Sequence, residues 1–423
     1  MSGQLPAAGV VGVGALGAPL VRRLLQAGYE VSIFDVDAAA VGLLTADGAR
    51  AMNSPSAVAR ASELVITCVP GPTEVELCIA GSGGLVEGLR EGAVVIEMST
   101  SLPRTTRRVA DVVRSRGAQI IDAPVSRGVP AAERGTLSIF VGGDEAVLEQ
   151  CRGLLGTLGT DIVHLGPLGA GHVTKLLNMG LMAVHLLSVT EALTVAVRAG
   201  IARDAAIAEW NASPASNFMT SNHIPKFVLS GLYRSGFTLG LMHKDLELLG
   251  DLVREQRVAA VVTNRALDVY GIALAQLAPN TDNMSIVPFC WETLPGCANL
   301  DGTANGEVIE LLCDHLVVVS AFAVLEAVAV LRSQGLAVEP ALEVIASSSG
   351  GSWVVERVAQ GRAPVDVADE GVVGPSGRLL ELHERAGTGL VGGVAYDLVR
   401  ATGSSDAVAA GHRRWAELLD GRT

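Results

Sequence analysis

The stretch AAGVVGVGALGAPLVRRLL (7–25) decides how this chain begins to fold. Its apolar start predicts a β-strand, and the spaced leucine and valine side chains at its end predict an amphipathic helix. Between them lies a Gly-x-Gly-x-x-Gly turn, in which the first glycine permits a tight turn, the second lets the backbone approach a pyrophosphate and the third lets helix and strand pack closely. We therefore predict that a dinucleotide contacts six consecutive residues: Gly12, Val13, Gly14, Ala15, Leu16 and Gly17.

An acidic residue follows the next predicted strand, which covers residues 30–34. Asp35 stands eighteen residues after Gly17, where a carboxylate accepts hydrogen bonds from the adenosine ribose and repels a 2′-phosphate. Because the chain has 49 glycines, the turn alone is a weak signal, and Asp35 could be only a turn residue at the end of a strand. The combination of strand, turn, helix and acid favours NAD over NADP.

Further apolar runs predict strands at 64–69, 93–98, 119–121 and 138–141, separated by segments of helical length. Such alternation predicts an α/β Rossmann domain with a doubly wound, mostly parallel sheet. Ligands bind beyond the carboxyl ends of these strands, which makes Val69, Pro70, Thr100 and the segment 122–126 candidates for the site.

Length and composition narrow the possible functions. The chain has 423 residues, 49% of them apolar, and this predicts two or three compact domains. Its net charge of −13, without a dense cluster of Lys and Arg, argues against nucleic acid as a partner. Two long apolar stretches (176–202 and 308–337) are interrupted by charged residues such as Glu191 and Glu326. We therefore expect buried core helices rather than membrane spans. With dispersed cysteines, no metal motif and no signal peptide, we expect a cytoplasmic protein without a metal site.

The motifs resemble those of the β-hydroxyacid dehydrogenase family (3-hydroxyisobutyrate dehydrogenase-like proteins). The likeness extends from about residue 7 to 280, and its motifs occur in the family's order: GVGALGAPL (12–20), DAPVSRG (122–128) with GTLSIFVGG (135–143), GHVTKLLN (171–178) and FTLGLMHKDL (237–246). An ordered set of motifs is far more specific than any single one.

The resemblance implies that Lys175 is the catalytic residue and that Asn178, one helical turn later, orients the substrate. Oxidation of an alcohol needs a base for the hydroxyl proton, and the pKa of an ordinary lysine, roughly 10.4, must be lowered by burial for that role. The same resemblance implies further contacts, for the substrate carboxylate at Ser126 and Gly128 and for the cofactor at Thr100, Phe237 and Lys244. Taken singly, each of these could equally be a turn, cap or surface residue.

Arg127 departs from the family pattern, which has a glycine after the loop serine. Its side chain could clash with the usual small acid or bind a second anionic group, so we include it among the substrate-binding candidates. The retained Lys175 argues against the related imine reductases.

The family's usual length ends near residue 290, and the remainder of the chain is an internal repeat. Shifting the sequence by 135 residues aligns 171–213 with 306–348 without a gap, and 14 of the 43 aligned pairs are identical. Lys175 corresponds to Glu310 and Asn178 to Cys313, so we expect the second copy to be catalytically silent. Its helical surface could replace a partner subunit and form an intramolecular pseudo-dimer, the whole chain being a monomer or a homodimer. Chance similarity between two apolar helices is the alternative explanation.

These observations predict a dinucleotide-binding domain (1–168), a helical domain with Lys175 (169–290) and a degenerate helical repeat (300–423), joined by a connector at 279–305. The predicted activity is hydride transfer between NAD and a small 3-hydroxy acid or the matching aldehyde or keto acid. A decarboxylating enzyme similar to 6-phosphogluconate dehydrogenase and a non-catalytic cofactor-binding scaffold remain alternatives.

Overall fold

The computed structural model describes residues 5–293, 305–362 and 364. The chain divides into two compact units, 1–175 and 176–423, with the boundary inside one long helix. The predicted second repeat extends to residue 423, so its last part lies outside the described residues.

The first unit contains a six-stranded sheet whose paired strands are all parallel. The strand order β3-β2-β1-β4-β5-β6 is that of a dinucleotide-binding fold and confirms the predicted fold class. The central strand pairs Ala8 with Val31 on one side and with Leu64 on the other. The strands are β1 (Ala8–Val11), β2 (Val31–Phe34), β3 (Arg50–Ala51), β4 (Leu64–Thr67), β5 (Val94–Glu97) and β6 (Gln119–Asp122).

Helices cover both faces of this sheet, and each face has its own apolar core. Their starts follow from local sequence: Asp37 and Asp144 cap two helices with side-chain hydrogen bonds, and three others have proline as their first residue. The helices are α1 (Gly17–Gln26), α2 (Ala38–Ala46), α3 (Pro55–Ala61), α4 (Pro72–Ala80), a 3₁₀ turn (Leu85–Glu87), α5 (Pro103–Arg114), α6 (Gly128–Arg134) and α7 (Glu145–Leu158).

One strand prediction was wrong in its placement. The apolar run at 138–141 does form a strand, β8 (Leu137–Val141), but it belongs to a separate three-stranded sheet with β7 (Val125–Ser126) and β9 (Gly159–His164). β7 is antiparallel to β8, because the chain turns back sharply through α6. Apolarity reports that a strand is buried, but it does not report which sheet the strand joins.

The second unit is helical. Part of the predicted connector is regular, since residues 283–293 form a 3₁₀ turn and a helix although they include Asn283 and Pro288. The helical segments are α8 (Ala170–Arg198, which begins in the first unit), α9 (Arg203–Asn211), a π-helical segment (Met219–Leu229), α10 (Leu239–Gln256), α11 (Val261–Gln276), a 3₁₀ turn (Asn283–Ser285), α12 (Ile286–Thr293), α13 (Asn305–Ser333), α14 (Val338–Ala346) and α15 (Trp353–Ala359).

Helices α8 and α13 are each 29 residues long and apolar enough to cross a membrane by length and composition. Their most apolar windows are nevertheless 94% and 83% buried within the fold. Such burial is typical of core helices in a soluble protein, as the sequence predicted.

The two halves of the helical unit contact each other reciprocally. The backbone N–H of Phe218 donates to the carbonyl of Gly351 (2.9 Å), and the N–H of Trp353 donates to the carbonyl of Ser216 (3.0 Å). Gly351 stands 135 residues after Ser216, and Trp353 stands 135 residues after Phe218, which is the offset between the two aligned sequences. His185 contacts its own counterpart Ser320, 135 residues later, at 3.0 Å. Pairs of this kind, in which residue i contacts j and the counterpart of j contacts the counterpart of i, are characteristic of two-fold symmetry.

Candidate active site

The glycine turn between β1 and α1 has the geometry that its sequence predicts. Gly12 has φ +92°, and a Cβ there would lie 2.2 Å from the carbonyl oxygen of Cys68. A Cβ on Gly17 would lie 2.0 Å from the carbonyl oxygen of Gly12, so only glycine lets α1 begin this close to the strand. A Cβ on Gly14, by contrast, would meet no atom within 4 Å. The turn therefore leaves open the side at which a pyrophosphate would approach the start of α1.

Asp35 closes the other side of this turn. Its Oδ2 accepts a hydrogen bond from the N–H of Val13 (2.6 Å), and its Oδ1 accepts one from the N–H of Asp37 (2.9 Å). The carboxylate is thus held beside the glycine turn at the end of β2, where a bound ribose would present its hydroxyls. These residues fit a dinucleotide: an open glycine turn, a helix start without acidic residues in its first turn and a fixed carboxylate.

The loops after β4 and β5 are tied together at the same edge of the sheet. The N–H of Val69 donates to Oγ of Ser99 (3.1 Å), and the N–H of Ser99 donates to Oε1 of Glu97 (3.0 Å). Val69 and Thr100 are half-buried and Pro70 is exposed, as are Ala15 and, in part, Leu16 in the glycine turn. The first unit therefore brings these predicted cofactor residues to one edge.

Two predicted cofactor residues belong to the second unit. Phe237 is half-buried just before α10, which Thr238 caps through a hydrogen bond to the N–H of Leu241. Lys244 lies in the second turn of α10 and pairs with Asp245 at 3.0 Å. Their role toward the cofactor remains a prediction.

Lys175 lies in the second turn of α8 and is only 8% exposed. Asn178 follows one turn later on the same helix and is fully buried. Both side chains belong to an otherwise apolar segment, in which Val173 and Leu176 are also fully buried. A lysine normally keeps its ammonium group in water, so a buried one is a candidate for chemistry.

The side chain of Asn178 is held by a turn of the second repeat. Its Oδ1 accepts the N–H of Gly350 (2.9 Å), and its Nδ2 donates to Oγ of Ser349 (3.0 Å). Nδ2 also lies 3.8 Å from Sδ of Met179, a weak acceptor. The sequence predicted Asn178, but its partners are more than 170 residues away and were missed.

A buried charged cluster supports the start of α8, and the sequence analysis did not single it out. His172 contacts Glu97 through Nε2 and Oε2, and the two backbone N–H groups of Gly169 and His172 donate to Asp122 at 2.6 and 2.9 Å. All three side chains are fully buried. A charged residue inside an apolar strand, such as Glu97, was the signal that could have pointed to this cluster.

Electrostatics within the cluster favour a protonated histidine. Burial by itself lowers the pKa of His172, but the charges of Glu97 and Asp122 together raise it above its ordinary value. Burial raises the pKa of Asp122, and the charge of His172 opposes this shift. These charges favour a protonated His172 ring in contact with Glu97, one helical turn before Lys175.

The loop that includes Ser126, Arg127 and Gly128 joins β7 to α6. Ser126 is buried, whereas the two following residues are exposed. Arg127 has φ +77°, a left-handed conformation that favours the glycine of the family pattern. Its guanidinium pairs with Asp161 and donates to the carbonyl of Thr136 (3.3 Å). The side chain of Arg127 therefore contacts Asp161 of β9 and does not clash with its own loop.

No metal centre is formed by the part of the chain that the structure describes, since no group of three or more His, Cys, Asp or Glu side chains lies close enough together. The five described cysteines are free thiols.

Comparisons with known proteins agree with this geometry. Residues 7–166 match the family model for the NAD-binding domain of 6-phosphogluconate dehydrogenase, and residues 169–290 match the model for the NAD-binding region of NADP-dependent 3-hydroxyisobutyrate dehydrogenase. The chain is 34% identical to 2-(hydroxymethyl)glutarate dehydrogenase of Eubacterium barkeri over 68% of its own length and 95% of that protein.

Two solved structures extend the comparison. A 3-hydroxyisobutyrate dehydrogenase of Mycobacterium tuberculosis, determined with L-serine, is 26% identical and has a TM-score of 0.64, covering 68% of this chain and 99% of that one. A 6-phosphogluconate dehydrogenase of Plasmodium falciparum is similar in fold alone, with 10% identity and a TM-score of 0.66, but it covers 97% of this chain and 92% of its own.

An open glycine turn, a carboxylate fixed beside it, a buried lysine on the interdomain helix and these relatives lead to one assignment. The chain belongs to the β-hydroxyacid dehydrogenase family of NAD(P)-dependent oxidoreductases.

Proposed function

We propose that this enzyme reversibly oxidises a small 3-hydroxy acid with NAD, or reduces the matching aldehyde or keto acid, and that Lys175 transfers the proton. The observation that carries the proposal is the pairing of Lys175, 8% exposed, with the fully buried Asn178 one turn later on α8. An amine and an amide at this spacing can contact the same hydroxyl group and its neighbouring oxygen.

In the proposed step, the substrate hydroxyl loses its proton to the Nζ amine of Lys175, and the carbon that bears it loses a hydride. Bound NAD supplies the hydride acceptor. Ser126 and the backbone of Gly128 hold the substrate carboxylate, and Asn178 orients the reacting oxygen. In the reverse direction, Lys175 acts as the acid. Val69, Pro70, Thr100, Phe237 and Lys244 are proposed to contact the cofactor.

A panel of 3-hydroxy acids tests the activity. Incubated with NAD, at least one acid should produce NADH absorbance at a rate that depends on acid concentration. The panel should include 3-hydroxyisobutyrate, L-serine and 2-(hydroxymethyl)glutarate, because the relatives' names and the solved complex contain these acids. Tight NAD binding without turnover of any member would instead support a cofactor-binding scaffold.

Decarboxylation of a sugar phosphate has less support. That reaction needs cationic side chains for the phosphate. The departure that suggested it, Arg127, is engaged by Asp161. Similarity to the Plasmodium falciparum enzyme is a similarity of fold.

Asp35 should set the cofactor preference. We expect Asp35→Asn to reduce the ratio of kcat/KM with NAD to kcat/KM with NADP by at least tenfold, because the variant no longer repels a 2′-phosphate. Asparagine keeps one oxygen that can accept the N–H of Val13, so the glycine turn should be preserved, whereas the hydrogen bond from the N–H of Asp37 is lost. Steady-state kinetics with both cofactors measure the ratio. Asp37→Asn, which changes the neighbouring exposed carboxylate, is the matched control and should leave the ratio within twofold.

We also propose that the helical unit is an intramolecular pseudo-dimer of two repeats, 169–290 and 300–423, attached to the dinucleotide-binding domain (1–168). Three observations support this: α8 and α13 share a length of 29 residues, α9 and α14 share a length of 9, and the paired hydrogen bonds of Phe218 and Trp353 are reciprocal. The second repeat lacks the lysine and asparagine, since Glu310 and Cys313 stand in their places.

Removal of the second repeat tests the pseudo-dimer. A chain ending near residue 290 should self-associate or precipitate, because the apolar surface of α8 that α13 covers becomes exposed to water. Size-exclusion chromatography with light scattering on the truncated and full-length chains measures the outcome. A truncated chain that remains soluble, stable and monomeric would contradict the proposal.

A further inference from the structure

The turn at residues 348–351 of the second repeat contacts the side chain of Asn178. We propose that Ser349 and Gly350 are positioning residues, which hold the amide of Asn178 so that it presents a single N–H donor to an oxygen of the substrate. The inference rests on the proposed function, in which Asn178 contacts the substrate.

The backbone of Gly350 determines the orientation of the Asn178 amide. The backbone N–H of Gly350 can only donate, so the Asn178 atom 2.9 Å away must be the carbonyl oxygen Oδ1. Nδ2 then points toward Oγ of Ser349, 3.0 Å away, and donates one of its two hydrogens. The Gly350 N–H thus excludes the flipped amide, which would bring two donors face to face, and the Ser349 hydroxyl accepts from the orientation that remains.

One hydrogen of Asn178 Nδ2 remains available to a ligand. The Gly350 N–H takes one lone pair of Oδ1, and Ser349 accepts one hydrogen of Nδ2. Among the residues that the structure describes, the other hydrogen of Nδ2 has only a weak acceptor, Sδ of Met179 at 3.8 Å. Asn178 is therefore prepared to donate to an oxygen atom, such as a hydroxyl, carbonyl or carboxylate oxygen.

The turn approaches Asn178 so closely that there is no room for a side chain at position 350. A Cβ on Gly350 would lie 3.0 Å from Oδ1 of Asn178 and 2.8 Å from its backbone carbonyl. The helix backbone cannot yield, so any side chain at 350 displaces either the turn or the amide. Glycine at this position is required by the approach of the turn to Asn178.

The second repeat offers a comparison, because its own helix receives a similar contact from the turn after α9 in the first repeat. Cys313, the counterpart of Asn178, accepts a hydrogen bond from Oγ of Ser213 at 3.5 Å. Ser213 lies in the turn after α9 and aligns with Ser348, the neighbour of Ser349 in the turn after α14. The two contacts therefore come from the same turn of each repeat, one residue apart, and only one of them touches a predicted site residue.

The experiment compares Ser349→Ala, Gly350→Ala and the control Ser213→Ala in the full-length enzyme, with the best acid of the panel. We expect kcat/KM to fall roughly five- to tenfold in Ser349→Ala, the effect of one lost hydrogen bond, and more in Gly350→Ala. Ser213→Ala should stay within twofold of the wild type. Thermal unfolding should report similar, small shifts for the two serine variants, which separates positioning from general stability.

A double-mutant cycle isolates the coupling. In an Asn178→Ala background, Ser349→Ala should cause no further loss of kcat/KM, because the side chain that it positions is gone. Ser349→Thr, which keeps the hydroxyl, should restore most of the activity. Wild-type kinetics in Ser349→Ala, an equal effect of Ser213→Ala, or additive losses in the cycle would each overturn the inference. If the wild-type enzyme turns over no acid, the proposed function fails and this inference with it.

Discussion

Lys175→Met is expected to lower kcat by at least a thousandfold while leaving the binding of NADH within about threefold of the wild type. Positioned acid–base groups contribute roughly 10² to 10⁴ in rate, and methionine fills a similar buried volume without a proton to exchange. The wild-type side chain is only 8% exposed, so a neutral, flexible replacement should not disturb the packing of α8.

Single-turnover absorbance at 340 nm and fluorescence titration with NADH separate the chemical step from cofactor binding. The control is Lys226→Met, which removes a lysine from the π-helical segment, where it lies 5.0 Å above the ring of Phe227. That variant should keep kcat within twofold. If Lys175→Met turned over at the wild-type rate, the proton would have to be transferred by another group and the proposed mechanism would be abandoned.

The second large effect is expected from the buried cluster below Lys175. His172→Leu should reduce the free energy of unfolding by about 3–5 kcal/mol, since it leaves the buried carboxylate of Glu97 without the ring that it contacts and removes the positive charge near Asp122. Urea unfolding monitored by circular dichroism measures the change. The matched control is His185→Leu, which also removes a fully buried histidine of α8 but breaks a neutral contact with Ser320, at a cost of about 1 kcal/mol.

The two histidines should respond to pH in opposite directions. The pKa of His172 is raised above its ordinary value of 6.5, so its protonation contributes stability that is complete below pH 6.5 and is lost as pH rises through the folded pKa. Burial lowers the pKa of His185 to about 4, so its contribution is present above pH 6.5 and is lost as pH falls toward 4. Unfolding curves between pH 4 and 9 should show each slope flattened in the corresponding leucine variant. Parallel pH profiles for the two variants would contradict the charged state inferred for His172.

The sequence predicted features that depend on local rules. The glycine turn needs particular backbone angles and close approaches, and Gly12 and Gly17 sit at distances that no other residue permits. The proposed repeat was also visible in the sequence, and α13 and α14 have the same spacing as α8 and α9. Lys175 could be proposed as the catalytic residue since the family motif and the apolar segment around it coincide. Each of these features depends on residues that are close together in the sequence.

What only the tertiary structure decided are contacts between distant residues and the choice of sheet. The strand at 137–141 pairs in the smaller sheet because the chain reverses through α6. Its apolar sequence does not determine which sheet it joins. His172 and Glu97 are 75 residues apart, and Asn178 and Ser349 are 171 residues apart. Burial of a polar group requires a partner, but the sequence does not say which partner, because that choice depends on how whole elements pack.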